Sequence, residues 1–592
     1  MKQLTVALLT ILLLPAICGA ATPPTMPFDD VKTGMVGTGR TVFAGTEVVD
    51  FKIEIIGKLP NIAPDQNLIL ARCSGGPLAE TGVLSGMSGS PVTIDGKLIG
   101  AVAYSWGFST EAIAGITPIE EMLRVAQLDG LEANRNARRQ RRLPETLLRP
   151  NSTPALESFS ASLLEVLSPQ LSTPFQSRPE LSVSGFPLAG VERLRRRLPD
   201  ASWSATTSSG TDPGATPAPL EPGSPVGLQL IRGDVDFSAT GTISWIDGDR
   251  LLAFGHPLFG LGSVDLPMTA ARVETLLPNL QQSSRIAIPT SPIGALRQDR
   301  NAAVFGRLGA EPSMIPVRVQ LRSGESERRY SFEIADDAML APVLLHFATT
   351  GLVGGSERIS GDTSIRIAAG SLIKLSDGQD VLLDNHFSGS SAFNMATITP
   401  AFMLHLLMNE SWDAAPIAGI NLLFDYEPRA LTQRIERVVA DRYLVAPAET
   451  VDLTIDLRSS QNERRSISAS ITLPDSLTDG PLTLLIAGAA MVQREDPGDV
   501  PLLPRDSDRL IRLINRLRRN DQIFIVAKRD EPSLYVDGQQ LSSLPPSAGW
   551  ILKRPAGRAG RFELSQRRIL EETVSAGAFV EGFARIELQV RR

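Results

Sequence analysis

The sequence predicts a mainly β protein that is divided into several domains. The chain has 592 residues, which is too long for a single hydrophobic core and corresponds to about three or four domains. It contains 49 glycines and 43 prolines, which favour many short strands and turns over long helices. Alternating stretches such as Val451–Leu457 have the pattern of half-buried strands.

The first twenty residues have the organisation of an export signal. Lys2 precedes an apolar run from Leu4 to Ile17, and the small residues that follow favour cleavage after Ala20. Because the run is too short for a membrane span, residues 1–20 predict export to a bacterial periplasm or the cell exterior, with no stable membrane span. The net charge of -7 gives no reason to expect a nucleic-acid partner.

Residues 26–130 predict a compact β unit around the loop Gly86-Met87-Ser88-Gly89-Ser90-Pro91. Strands are expected at 48–56, 67–71 and 92–103, and the last of these is a hairpin that turns on Asp95-Gly96. A serine between glycines, followed by such a hairpin, is typical of the nucleophile loop of chymotrypsin-like proteases. The turn would aim the N–H groups of Gly86 and Ser88 at one point, as an oxyanion hole does. Ser88 is favoured over Ser90 because a glycine lies two positions before it.

Two further features complete this unit. The segment Tyr104-Ser105-Trp106-Gly107 follows the hairpin at the place where chymotrypsin-like enzymes pair with the substrate backbone, so it is predicted to bind substrate. Thr117-Pro118-Ile119-Glu120 has the pattern of a Thr-x-x-Glu capping box with proline in the first turn. It predicts a short helix at the end of the unit.

Residues 131–225 are predicted to be a linker with low-complexity segments. Within it, 181–198 is expected to hold a strand and a short basic helix. Residues 226–320 predict a second β unit, with strands at 236–245, 251–254, 285–288, 303–308 and 315–321.

The remaining chain divides into two regions. Residues 321–430 predict an α+β accessory region with apolar helical stretches at 340–350 and 400–408. Residues 431–592 predict a C-terminal β-sandwich-like domain. Its amphipathic helix at 508–519 is expected to dock on that domain rather than on a membrane surface.

The chain has four histidines, which makes the candidates for a general base few. His346 and His405 lie within apolar helical patterns, where a structural role is the default, and His386 lies among polar loop residues. His256 follows a predicted strand and is held between a glycine and a proline, which exposes it at a fixed turn. No two histidines have metal-ligand spacing and the mature chain keeps only Cys73, so no metal, cofactor or disulfide is predicted. A nucleotide-binding loop is also absent from the sequence.

The residues Gly82–Val92 and Asp95–Val102 closely resemble the stage IV sporulation protein B (SpoIVB) peptidase family, whose members are serine peptidases related to the chymotrypsin-like clan. Further similarity covers Gly241–Trp245 with Ala253–His256, and Val304–Leu308. The resemblance implies a chymotrypsin-like double β-barrel split by the linker, followed by the β-rich C-terminal domains. It also implies a protein or peptide substrate, with Ser88 as nucleophile and His256 as general base.

The sequence departs from that family in two respects. Its serine segment precedes its histidine segment, an order that the long linker would accommodate. The acidic residue expected a little upstream of the nucleophile is absent, and Cys73 occupies that region. Asp265 and Asp299 are the alternatives, of which Asp299 has the more favourable distance along the chain from the histidine. A serine–histidine dyad without an acid also remains open.

These features predict an exported serine endopeptidase that cleaves peptide bonds through an acyl-enzyme. The missing acid motivates an alternative, a catalytically inactive protease-like fold that serves as an envelope binding or scaffolding protein. No feature of the sequence indicates an oligomeric state.

Overall fold

The computed structural model describes residues 24–129, 180–197, 202–205, 219–356, 361–409, 415–495, 506–531 and 566–592, with short segments between 533 and 564. The predicted export signal at 1–20 lies outside the described residues.

Residues 24–129 contain a closed barrel of six antiparallel strands in the order β1-β2-β3-β6-β5-β4. Its strands are β1 Val36–Thr41, β2 Val49–Ala63, β3 Gln66–Ser74, β4 Pro91–Ile94, β5 Lys97–Ser105 and β6 Ile113–Pro118. Two helices accompany them, α1 Leu78–Thr81 and α2 Ile119–Gln127, with a 3-10 turn at Phe28–Asp30. The hairpin predicted on Asp95-Gly96 is present, and both turn residues have positive φ, 49° and 74°.

A second ring of six antiparallel strands closes downstream. Its strands are β9 Pro225–Gly233, β10 Asp236–Asp247, β11 Arg250–Ala253, β12 Gly262–Leu277, β13 Ser284–Arg300 and β14 Ala303–Leu308. The pairings run β9-β12-β13-β14-β11-β10 and return to β9. The predicted fold class, a mainly β protein with a chymotrypsin-like double barrel, is therefore confirmed.

Part of the predicted linker 131–225 is built into the second sheet. It supplies strand β7 Glu180–Ser184, helix α3 Leu188–Arg197 and strand β8 Ser202–Ala205. β7 pairs antiparallel with β10, and β8 pairs parallel with β7. The strand and helix expected at 181–198 are therefore present, and they enlarge the second sheet.

The accessory region extends the same sheet and covers it with two apolar helices. Its strands are β15 Met314–Ser323, β16 Ser326–Ala335, β17 Thr363–Ile367, β18 Leu372–Leu375, β19 Asp380–Leu382, β20 Asn385–Gly389 and β21 Ile417–Glu427. The helices are α4 Leu340–Ser356 and α5 Ala392–Met408, both longer than predicted. They share one hydrophobic core with the second barrel.

The C-terminal residues form two facing sheets around their own core, as expected of a sandwich. The strands are β22 Thr432–Ala440, β23 Leu444–Val445, β24 Thr450–Ser459, β25 Arg464–Thr472, β26 Gly480–Gly488, β27 Gln522–Arg529, β31 Arg567–Ser575, β32 Phe579–Glu581 and β33 Phe583–Val590. A small separate sheet holds β28 Ser533–Val536, β29 Gln539–Ser542 and β30 Arg561–Leu564. The helices are α6 Ala489–Glu495 and α7 Ser507–Ile514.

The amphipathic helix α7 packs on a different partner from the one predicted. Leu510, Ile511 and Ile514 enter the core shared by the accessory region and the second barrel. The Asn515 side chain accepts a hydrogen bond from the backbone N–H of Leu382 in that region. The helix therefore connects the C-terminal domain to the accessory region rather than covering its own sandwich.

The predicted capping box at Thr117–Glu120 is absent. Helix α2 begins at Ile119, and no side chain caps its N-terminus. The Thr117 hydroxyl instead donates to the carbonyl of Gly255, at 2.6 Å, in the second barrel. A contact between the barrels has replaced the local cap.

Candidate active site

The Gly86–Pro91 loop joins α1 to β4 and is pressed against the second barrel. Gly89 has a φ of 97°, and a Cβ at this position would lie 1.9 Å from the Thr242 carbonyl oxygen and 2.6 Å from the Phe254 nitrogen. No side chain fits there, because both atoms are backbone atoms of the second barrel. The Thr242 N–H donates to the Ser88 carbonyl at 2.8 Å, and the Ser244 hydroxyl donates to the Gly89 carbonyl at 2.8 Å.

The two serines of this loop have different surroundings. The Ser90 hydroxyl donates to the Met87 carbonyl at 2.7 Å. The Ser88 hydroxyl is fully buried and has no hydrogen-bond partner among the described residues. Ser88 is thus the serine whose hydroxyl is not committed to holding the loop.

The orientation of two peptide groups favours an oxyanion site at Gly86 and Ser88. The Ser85 carbonyl accepts a hydrogen bond from the Arg285 N–H at 3.2 Å, and the Met87 carbonyl accepts from the Ser90 N–H at 2.9 Å. The N–H of a trans peptide points opposite to its C=O. The Gly86 and Ser88 N–H groups therefore point away from these partners, and neither donates to another described residue.

His256 lies in the loop after β11, at the face of the second barrel that meets the first. The two preceding residues, Phe254 and Gly255, both have a φ of 67°. A Cβ on Gly255 would lie 3.2 Å from the Val102 carbonyl oxygen, which also accepts the Gly89 N–H. The Gly86–Pro91 loop and the loop that carries His256 therefore contact the same point of β5.

The imidazole of His256 has the tautomer that a general base requires. Its Nδ1 lies 2.7 Å from the Pro257 carbonyl oxygen, so Nδ1 carries the proton and donates it. Nε2 is left with its lone pair and has no partner among the described residues. Burial lowers the pKa of His256 to about 4, while the bond to Pro257 acts in the opposite direction, so the ring is neutral at pH 7.

The structure brings Ser88 and His256 to one interface in a closed arrangement. Their exposed fractions are 0% and 1%. Ser88 Oγ and His256 Nε2 both lack a partner, so they do not hydrogen-bond to each other in this conformation.

Asp299 supports the histidine loop rather than the imidazole ring. Its carboxylate accepts the backbone N–H groups of Leu258, Phe259 and Leu261 at 2.8, 2.8 and 3.1 Å. Burial raises the pKa of Asp299, and the loop N–H groups oppose that rise. The other candidate, Asp265, pairs with Arg297.

Cys73, which occupies the region of the expected acid, lies in the core of the first barrel. Burial raises the pKa of its thiol to about 12, so it stays neutral.

The predicted substrate segment, Tyr104–Gly107, is covered by part of the chain itself. The connection between β12 and β13, residues 278–283, is called the hairpin tip below. The Gln281 carbonyl of this tip accepts the Phe108 N–H at 3.3 Å, and Ser105 Oγ lies 3.4 Å from Gln282 Oε1. The tip also reaches the nucleophile segment, since the Ser283 carbonyl accepts the Ser85 N–H at 2.8 Å. The tip therefore contacts both the predicted substrate segment and Ser85, next to the Gly86–Pro91 loop.

Sequence reasoning missed Arg285 and Thr242, which line the back of the nucleophile loop. The Thr242 hydroxyl donates to the Gly86 carbonyl at 3.0 Å, and the Arg285 guanidinium donates to the same oxygen. Nothing local marks Arg285, because an arginine in a strand is ordinarily half-exposed, whereas Thr242 lies in the segment Gly241–Trp245 that resembles the peptidase family.

The other three histidines are buried in helices and a strand of the accessory region. His346 and His405 are buried in helices α4 and α5, and His386 is buried in β20. Among the described residues, no cluster of His, Cys, Asp and Glu is suited to a metal ion, and no described helix has the length and apolarity needed to cross a membrane.

Two six-stranded antiparallel barrels, with a Gly-x-Ser-Gly loop at their interface, define the architecture of the chymotrypsin-like serine peptidases. Residues 24–123 match the family model of the SpoIVB peptidase S55, which confirms the resemblance noted for Gly82–Val92 and Asp95–Val102. The matched range includes Ser88 and Tyr104–Gly107 and ends before the second barrel. No curated protein and no solved structure matches the chain.

Proposed function

We propose that this protein is a serine endopeptidase with Ser88 as nucleophile and His256 as general base. The observation that carries the proposal is the meeting of two loops at the barrel interface. The loop of the peptidase-family match presents an uncommitted serine hydroxyl, and the opposite barrel presents an imidazole with its lone pair on Nε2.

In the proposed reaction, His256 Nε2 takes the Ser88 hydroxyl proton while Oγ attacks the peptide carbonyl carbon. The N–H groups of Gly86 and Ser88 stabilise the resulting oxyanion. The imidazolium then returns its proton to the leaving amine as the C–N bond breaks. Water, activated by the same imidazole, hydrolyses the acyl-enzyme and regenerates the serine.

The proposed role of Asp299 is to hold the loop that carries His256. The catalytic group is then a Ser88–His256 dyad, in which the Pro257 carbonyl orients the imidazole ring. Because Ser88 and His256 are buried and the hairpin tip covers Tyr104–Gly107, the active conformation requires the tip to move away. The substrate strand would then pair with the segment that the tip now contacts.

Labelling with a fluorophosphonate probe tests the proposal. The wild-type protein should be labelled on the peptide that contains Ser88, and Ser88→Ala and His256→Ala should abolish labelling. Ser470→Ala, in the exposed face of the C-terminal sandwich, is the control and should be labelled like the wild type. Labelling that survives Ser88→Ala would contradict the proposal.

The closed site favours one alternative, an inactive protease-like protein that binds or scaffolds in the cell envelope. Absence of labelling, both in the wild type and in a variant with a shortened hairpin tip, would support this alternative. Export is part of either proposal, and a mature N-terminus at Ala21, found by mass spectrometry, would support it.

A further inference from the structure

Arg285 is the largest fully buried side chain in the described part of the chain. It stands at the start of β13, next to the hairpin tip, and its guanidinium contacts three separate segments. Nη1 donates to the Val42 carbonyl at 2.9 Å, at the end of β1 in the first barrel. Nη2 donates to the Gly86 carbonyl in the nucleophile loop and to the Gly241 carbonyl, at 3.0 Å, in the second barrel.

Arg285 binds the peptide groups on both sides of Gly86. Its backbone N–H holds the Ser85 carbonyl, and its guanidinium holds the Gly86 carbonyl together with the Thr242 hydroxyl. The backbone bond fixes the Ser85–Gly86 peptide and with it the direction of the Gly86 N–H, and the guanidinium fixes the Gly86–Met87 peptide, which lies between that N–H and the Ser88 N–H. The Arg285 side chain also packs on Gly86 itself, since a Cβ there would lie 3.0 Å from Nε and 3.1 Å from Cγ.

Burying a guanidinium is unfavourable unless its hydrogen bonds are supplied by the protein. Here one of the supplied acceptors, the Gly86 carbonyl, belongs to the loop whose N–H groups are proposed to bind the oxyanion, and the others, such as the Val42 and Gly241 carbonyls, belong to the two barrels. A cation beside that loop also favours the negative charge that develops there. An apolar side chain could fill the same space, but it would supply neither the hydrogen bond to the Gly86 carbonyl nor the positive charge beside the loop.

We propose that Arg285 is a positioning residue for the oxyanion hole, which it holds in place through the Gly86 carbonyl. This inference rests on the proposed function. A correctly placed oxyanion donor acts in the transition state and little in the ground state. Loss of Arg285 should therefore lower kcat and leave KM nearly unchanged.

The test compares steady-state hydrolysis of a peptide ester by Arg285→Met, Arg285→Lys and Thr242→Val. We expect Arg285→Met to lower kcat by about 100-fold or more, the effect of losing one oxyanion donor. Arg285→Lys keeps the positive charge but lacks the planar guanidinium, so its kcat should lie between that of Arg285→Met and that of the wild type. Thr242→Val removes the second donor to Gly86 and should lower kcat by a smaller factor.

Arg529→Met is the matched control, because Arg529 is also buried but lies in the C-terminal domain and donates to Thr478. It should lower thermal stability without changing kcat. Arg285→Lys and Thr242→Val keep the test decisive even where Arg285→Met does not fold. Unchanged kcat in these two folded variants, or equal losses in kcat and in folded fraction, would overturn the inference.

The wild type and Ser88→Ala separate this inference from the proposed function. If wild type hydrolyses the ester and Ser88→Ala does not, the proposed function stands and the Arg285 variants decide the inference alone. If wild type and Ser88→Ala behave alike, the proposed function fails, and the inference fails with it.

Discussion

Replacement of Gly89 by alanine is expected to force apart the two barrels at the candidate site. The new Cβ would lie 1.9 Å from the Thr242 carbonyl oxygen, whereas non-bonded heavy atoms prefer about 3.5 Å. The oxygen belongs to the backbone of β10 and cannot rotate away as a side chain could. The loop and β10 would have to separate by roughly 1.5 Å, which breaks the bond from the Thr242 N–H to the Ser88 carbonyl.

The expected cost has two components. An L residue at the Gly89 φ of 97° costs about 1–2 kcal/mol. Overpacking against the second barrel adds about 1–3 kcal/mol. Gly96 provides the matched control, because its φ is 74° and a Cβ there would meet nothing within 4 Å. Gly96→Ala should therefore show the first component without the second.

Hydrogen exchange at Thr242 measures the difference directly, because its N–H donates to the Ser88 carbonyl. The added 1–3 kcal/mol corresponds to an exchange rate about 5–150 times faster in Gly89→Ala than in Gly96→Ala. Equal exchange rates in the two variants would refute the inter-barrel contact, and with it the geometric basis for placing the Ser88 loop at the interface with the barrel that carries His256.

Four further predictions concern the same site and the buried histidines. Asp299→Asn should lower kcat without abolishing folding, because an amide oxygen replaces only part of the carboxylate that holds the loop; unchanged kcat would contradict this role. Fluorophosphonate labelling should stay constant as pH falls and then drop through about pH 4, where His256 of the closed resting state becomes charged; a midpoint near the ordinary histidine pKa of about 6.5 would indicate that the site is already open at rest. Shortening the hairpin tip at 279–282 should speed labelling, whereas Leu280→Ser, at a side chain that is 93% exposed, should not. Burial lowers the pKa of His405 to about 4, so the folded state takes up its proton later than the unfolded chain, and this residue alone should cost about 1.4 kcal/mol of stability per pH unit as pH falls from about 6.5 to 4; His405→Leu should reduce the slope of the stability–pH curve by that amount.

Much of the first barrel could be predicted because its signals are local. Phe51, Ile53 and Ile55 alternate with charged residues along β2 and point into the core, as the period of a strand requires. Asp95-Gly96 adopts the positive φ angles that its sequence tolerates. The glycines of the nucleophile loop likewise have the left-handed angles that the pattern indicated.

Long-range pairing limited the prediction of the second barrel. β9 and β12 were missed although apolar residues alternate along part of each strand, because the glycine and proline residues between them have the character of turn signals. The helix at α7 was expected correctly, but the surface on which its apolar face packs was not. An amphipathic pattern specifies that a face is buried and does not specify the partner.

The sequence by itself determined the mainly β class, the serine loop, the histidine turn and the resemblance to a peptidase family, because each depends on residues that are neighbours along the chain. Only the tertiary structure decided that Thr117 bonds to Gly255, that Asp299 holds the loop rather than the ring, and that Arg285 binds the peptides around Gly86. In each of these contacts the partners are separated by tens to hundreds of residues. Such partners meet only when the two barrels have closed and packed, and no local pattern encodes which polar group will find which.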